Sequence, residues 1–263
     1  MADRTAGMPR LDEAVGRSDG AVELRRHLAT APPAYLSGAL DNPALGPGEV
    51  LLMLRNRQAP ATLVARVGDD PRWLRHYRIK HALAAHPRTP VTLSQNVVPH
   101  LFWNELAELS TATHVNPVTR RIAERRLVLR LETLELGERT NLARRAGRGI
   151  IPELAKSGEP RVLAALLQNP RCVEPDVVTI CRGETAPREC LAEIAADRRW
   201  GCRREVLRAL VGNARTPVAT ALGALRRLRA GDLRPLLRDA TVPRIVRLAA
   251  ERRLLEQDRL LDY

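Results

Sequence analysis

Residues 40–127 align with residues 167–254 at a constant offset of 127, without an insertion or deletion, and 27 of the 88 aligned positions are identical. Self-similarity of this length marks a chain built from stacked units, each of which buries its apolar face only against its neighbours. Asn42-Pro43 returns as Asn169-Pro170, and Asp70, Arg72 and Trp73 return as Asp197, Arg199 and Trp200. Arg88-Thr89-Pro90-Val91 returns as Arg215-Thr216-Pro217-Val218, and Ala123-Glu124-Arg125-Arg126-Leu127 as Ala250-Glu251-Arg252-Arg253-Leu254. A gapless match requires that both copies keep the same turns and helix lengths. That constrains architecture far more than activity.

The repeated stretch reads as helix. Apolar residues fall at helical spacing in short segments broken by Pro, Gly or Asn, as in Val50, Leu51, Leu54 and then Leu63, Val64, Val67. The first copy is expected to hold six helices, near 48–57, 60–68, 72–85, 89–100, 103–111 and 116–135, with counterparts 127 residues later. Pro43, Pro60, Pro90 and Pro117 fall near helix starts, where the missing amide hydrogen costs nothing. Thr89-Pro90 and Thr216-Pro217 read as an N-cap followed by the first helical residue. Between the copies, residues 136–166 should add two or three helices, including Glu138–Ala146 and Pro160–Gln168. No sustained alternation marks a strand. Aromatic residues are only 3% of the chain, so the core has to be aliphatic.

Residues 1–20 are polar, carry no helical stripe and read as a flexible tail. They lack the apolar run of a secretory leader, and no segment reaches the ~20 apolar residues of a membrane span. A cytoplasmic location in a bacterium-like host is the resulting expectation. Residues 21–263 are expected to form a single continuous helical-repeat domain, with copy one at 40–127, connecting helices at 128–166 and copy two at 167–254.

The runs IKHALAAHPRTPVTLSQNVV and VLRALVGNARTPVATALGAL, which begin at Ile79 and Val206, carry a resemblance. An apolar helix, an Asn-Pro-x-Thr-Pro-like turn and a second apolar helix resemble the bacterial leucine-rich repeat variant and HEAT-like helical repeats. The likeness spans most of residues 35–255. It implies an all-α fold, an α-α superhelix of the ARM/HEAT solenoid type, offering an extended binding surface. One type of leucine-rich repeat variant protein also carries a cysteine-bound iron–sulfur domain at its N-terminus. That feature is not carried over, because no cysteine precedes Cys172.

Cys172, Cys181, Cys190 and Cys202 are numerous enough to hold a metal, but the first three align with Leu45, Leu54 and Leu63. Positions taken by leucine in the sister copy face the core, where cysteine acts as a small hydrophobe, and no Cys-x-x-Cys pair occurs. Cys202 aligns with Arg75 and is expected at the surface. His76, His81 and His86 step by five residues, about 140° per step on a helix, and so share no face. Their sisters, Arg203, Arg208 and Asn213, point to solvent-facing polar sites. Trp73 and Trp200 should wedge between helices. Glu124 and Glu251 should pair with Arg120 and Arg247 one helical turn away. No metalloprotease, phosphate-loop or nucleophile-elbow motif occurs, so neither enzyme activity, metal nor cofactor is expected.

Charge is the feature that favours a ligand class. The net charge is +13, and only Lys80 and Lys156 are lysines. Residues 1–70 and 127–197 each carry a net −1, whereas 71–126 carry +6 and 198–253 carry +11. The excess therefore falls in the same half of both copies. Arg203, Arg204, Arg208, Arg226, Arg227, Arg229, Arg234, Arg238, Arg244 and Arg247 are the candidate binding residues, since the guanidinium fork suits carboxylate and phosphate. The leading expectation is a non-enzymatic scaffold that binds an acidic protein partner. The alternative is sequence-independent binding of duplex DNA or RNA. Scarce aromatics disfavour single strands, whose bases stack on aromatic rings. Some alkylpurine DNA glycosylases are also built from HEAT-like repeats, which leaves an enzymatic reading as a minor alternative. It needs a carboxylate beside aromatics, and Asp70 and Asp197 belong to a repeated turn.

Overall fold

The computed structural model describes residues 12–239 and 241–261, with side chains to Glu256. Among the described residues every regular element is helical, and the chain divides after Arg130 into two compact units. The first holds α1 (Glu13–Ser18), α2 (Ala21–His27), α3 (Pro33–Leu40), α4 (Pro47–Arg55) and α5 (Ala61–Asp69). It continues with α6 (Pro71–Leu74), α7 (Tyr77–Ala85), α8 (Val91–Val97), α9 (Trp103–Thr111) and α10 (Pro117–Arg130). The second holds α11 (Leu136–Arg145), α12 (Ile151–Leu154), α13 (Pro160–Leu167), α14 (Glu174–Arg182) and α15 (Arg188–Ala196). After these come α16 (Arg204–Gly212), α17 (Val218–Leu225), α18 (Ala230–Arg238) and α19 (Arg244–Leu261). No described helix is long and apolar enough to cross a membrane.

Most of these helices have about nine residues, too short to persist alone in water, so packing must hold them. Within each unit most helices pack on their next-but-one neighbour: α1 on α3, α3 on α5, α5 on α7 and α7 on α9. The second unit continues the pattern, α11 on α13, α13 on α15, α15 on α17, and in the other layer α12 on α14 and α14 on α16. The ends of α4, α5, α7 and α9, shifted by 127, coincide residue for residue with those of α14, α15, α16 and α18.

Polar side chains at the helix ends tie these layers together. Asn169 is fully buried; its Nδ2 donates to the carbonyls of Ala143 (2.8 Å) and Ala146 (3.1 Å), and its Oδ1 accepts from the Arg171 amide. Asn42 binds Gly16 and Asp19 in the same way, Asn56 binds Leu28 and Ala31, and Asn213 binds Cys181 and Gly183. Each satisfies carbonyls that a helix end leaves without an internal partner. His86 takes the place that Asn213 holds in the sister copy. Its Nε2 lies 3.4 Å from the Asn56 carbonyl and its Nδ1 accepts from the Arg88 amide, which defines the neutral Nε2–H tautomer. Its expected solvent-facing position is therefore corrected: His86 is 3% exposed.

Other expectations are also corrected. The tail expected at 1–20 holds α1 from Glu13 to Ser18, while residues 1–11 lie outside the described residues. Gly16 and Gly38 let α1 and α3 touch backbone to backbone, since a Cβ on Gly38 would strike the Glu13 carbonyl and one on Gly16 the Tyr35 carbonyl. The single helix expected over 72–85 is two, α6 and α7. Asp70 caps α6 through the Arg72 amide, and His76 is extended at φ −87°, ψ 113°. The helices expected at 89–100 and 116–135 tighten into 3-10 turns at Val98–His100 and Leu131–Thr133. Thr89 is not an N-cap acceptor: its hydroxyl donates to the Leu83 carbonyl at the end of α7, and α8 starts after Pro90. Arg120 and Arg247 do not bridge to Glu124 and Glu251; each leaves a buried Nε without a hydrogen-bond partner among the described residues.

Candidate interaction surface

Many arginines of this chain fasten its own turns. Arg215 donates to the Ala186 carbonyl at 2.8 Å and Arg199 to that of Cys172 at 3.0 Å, while Arg253 bonds the Leu225 carbonyl. Arg199 also lies over the ring of buried Trp200, 4.1 Å from its centroid, as Arg72 lies over Trp73 at 5.2 Å. Both tryptophans are buried, each beside an aspartate whose Oδ1 accepts from the amide two residues on. Asp70 and Asp197 are thus turn-forming groups.

Among the ten candidate arginines, Arg204 is held internally. Asp232, third residue of α18, is buried; it accepts from the Arg229 amide, closing the first turn of its helix, and from Arg204 Nε at 2.8 Å. Those Arg204 hydrogen bonds hold the Asp232 carboxyl below the usual carboxylate range and raise the guanidinium in turn. The sister pair has the same logic with different chemistry. There the Tyr77 hydroxyl bonds the Glu105 carboxylate and accepts from the Phe102 amide at 2.8 Å, and burial pushes Tyr77 up to about 12. Arg208 sits 3.4 Å from Glu205 and 4.0 Å from Asp232, and Arg203 3.8 Å from Glu174. Arg247 is half-buried on α19.

The remaining six, Arg226, Arg227, Arg229, Arg234, Arg238 and Arg244, are exposed, and none forms an ion pair among the described residues. They do not converge on one point. Arg226, Arg227 and Arg229 occupy the turn between α17 and α18, Arg234 and Arg238 the exposed stripe of α18, and Arg244 the start of α19. Arg244 and Arg247 line a cleft of about 300 Å³ with Leu248 and Glu251. A second cleft, of about 330 Å³, lies among the C-terminal halves of α14, α16 and α18. Arg182, Arg208, Gly212, Pro235 and Asp239 line it. Arg182 also borders a third, of about 440 Å³, with Lys156, Thr179 and Glu184. Arg182 was not among the candidates, because segment charge places it in a stretch that is nearly neutral overall.

Cys172, Cys181 and Cys190 are buried and Cys202 is exposed, as their leucine and arginine sisters imply. Burial pushes the Cys172 and Cys190 thiols up to about 11, with Asp176 adding to the effect at Cys172 and Glu193 at Cys190. Such thiols remain protonated and unreactive near neutral pH. Among the described residues no three His, Cys, Asp or Glu side chains are placed to share a metal ion. No family model matches the chain, and no curated protein or solved structure matches it.

Proposed function

We propose that this chain is a non-enzymatic helical-repeat scaffold, an α-α superhelix that binds an acidic macromolecular partner through its second unit. Next-but-one helix packing and polar side chains that reach back two helices are what stacked repeats require. The observation that carries the binding half is the contrast in how arginine is used. Arg199, Arg204, Arg215 and Arg253 serve the fold, whereas Arg226, Arg227, Arg229, Arg234, Arg238 and Arg244 stand exposed without a carboxylate partner among the described residues. Unpaired like charges raise the energy of a compact state and favour an oppositely charged partner. An acidic protein fits because it needs no further chemistry from the surface.

Duplex nucleic acid is the second reading, favoured by the three exposed arginines grouped in the α17–α18 turn. Contact with about 6–10 phosphates would lower affinity roughly 10³–10⁵-fold between 50 and 200 mM salt. The test is retention of acidic proteins from nuclease-treated and untreated lysate, by the wild type and by a variant with all six arginines changed to serine. The scaffold reading expects nuclease-resistant retention that the variant loses. Equal retention by both forms refutes it, and nuclease-sensitive retention transfers the function to nucleic acid.

A further inference from the structure

Lys156, Arg182, Arg208 and Arg234 recur at a constant 26-residue spacing through the second unit. Lys156 follows α12, Arg182 ends α14, Arg208 lies at the centre of α16 and Arg234 at the centre of α18. The first three are joined by shared cleft walls: Lys156 and Arg182 border one cleft, Arg182 and Arg208 the next. Pro235, beside Arg234, forms the far wall of the second. Arg182 and Arg234 have no ion-pair partner among the described residues, whereas Lys156 holds Glu153 at 2.9 Å and Arg208 lies 3.4 Å from Glu205 and 4.0 Å from Asp232, part-exposed pairs that a stronger partner can displace. At the same spacing the first unit has Ala29, Arg55, His81 and Ala107, so the row is not an automatic product of the repeat.

We propose that this row is the docking track for an extended acidic peptide segment, with its carboxylates at every third residue. The proposal rests on the scaffold reading above and assigns it a site. Packed helices such as α14 and α16 stand about 8–10 Å apart, and a peptide in the polyproline II conformation advances about 3.1 Å per residue with three residues per turn, which brings every third side chain back to the same face. Three residues of peptide thus span one step of the row, setting one carboxylate against each cation. Gly212 keeps the wall between Arg208 and Arg182 low, since a side chain there would meet open space that the peptide backbone instead occupies. Acidic groups at the cleft rims decide between ligand classes. Glu184 and Asp239 stand in the track and would repel a continuous line of phosphates, while a peptide with two neutral residues between carboxylates passes them.

The test is fluorescence anisotropy of the full chain with two labelled peptides of equal composition, one with Asp at every third position and one with its Asp residues contiguous. A duplex DNA serves as competitor. The variants are Arg182→Glu and Arg234→Glu, with Arg188→Glu on α15 as an exposed control of equal charge change, and thermal melts verify that each folds. The track predicts that the spaced peptide binds about tenfold more tightly than the contiguous one. It also predicts that either track variant weakens binding about tenfold, with under a twofold effect at Arg188. Equal losses in all three variants, or none, overturn it, as does duplex DNA that outcompetes the peptide with the same arginine dependence. If acidic proteins still bind Arg182→Glu but are lost when Arg226, Arg227 and Arg229 are replaced, the track fails while the scaffold reading stands.

Discussion

His86 and Asn213 do one job with different chemistry, and only one of them titrates. Burial, followed by the charge of Arg88, holds the His86 imidazole below its ordinary value despite the opposing Asn56 carbonyl. The unfolded chain therefore binds a proton near pH 6.5 that the folded chain refuses. The stability contributed by neutral His86 is full above that pH and is lost as pH falls through the lowered folded value. Urea midpoints measured from pH 8 to pH 5 should decline, and His86→Asn should flatten that decline, because asparagine fills the same position at 213. Asn169→Ala should leave the buried carbonyls of Ala143 and Ala146 unpaired, at a cost of about 1–3 kcal/mol for each, read as a lower urea midpoint. The sequence exposed the pairing of Asn42 with Asn169, but not what those side chains bind. Polar sisters at 86 and 213 suggest water-facing sites in the sequence, because the carbonyls that satisfy them lie about 30 residues upstream, beyond any local pattern.

Helix positions were legible where Pro, Gly and Asn punctuate an apolar stripe, and the ends of α4, α5, α9, α11 and α13 fall within a few residues of the expected ones. Signals that depend on a second helix were not legible. Helix α1 has almost no apolar face of its own, and it is held because Gly16 and Gly38 allow backbones to touch. Gly38→Ala should push α1 off α3, costing roughly 1–3 kcal/mol, and hydrogen exchange should show faster amides in Glu13–Ser18 than elsewhere in the first unit. The break between α6 and α7 was missed because Arg75 and His76 are compatible with helix. What stops the helix there is a turn built around Trp73 and Asp70. In the second copy Gly201 replaces Leu74, and a Cβ at that place would collide with the Ala195 carbonyl. Trp200→Ala should lower stability by about 3–5 kcal/mol, with loss of amide protection concentrated in the second unit.

The distribution of charge along the chain overcounts the available cations. Arg204 looked like a ligand in the sequence and is an internal clamp on Asp232, while Arg182 looked unremarkable and lines two clefts. Formal charge is additive along a chain; availability is decided by which carboxylate or carbonyl lies one or two helices away. The clamp also makes a prediction for the second unit. Its folded Asp232 has a lowered pKa, so the stability it contributes is present above the ordinary aspartate value and is lost as pH falls through the folded one. Arg204→Ala should therefore shrink the difference in urea midpoint between pH 5 and pH 3. The loop asparagines carry a last implication. Their side-chain bonds reach back 23–32 residues and stop there. On the proposed scaffold reading, wiring with so short a memory would let a unit lengthen by whole modules, because each newcomer has to satisfy only the layer it lands on.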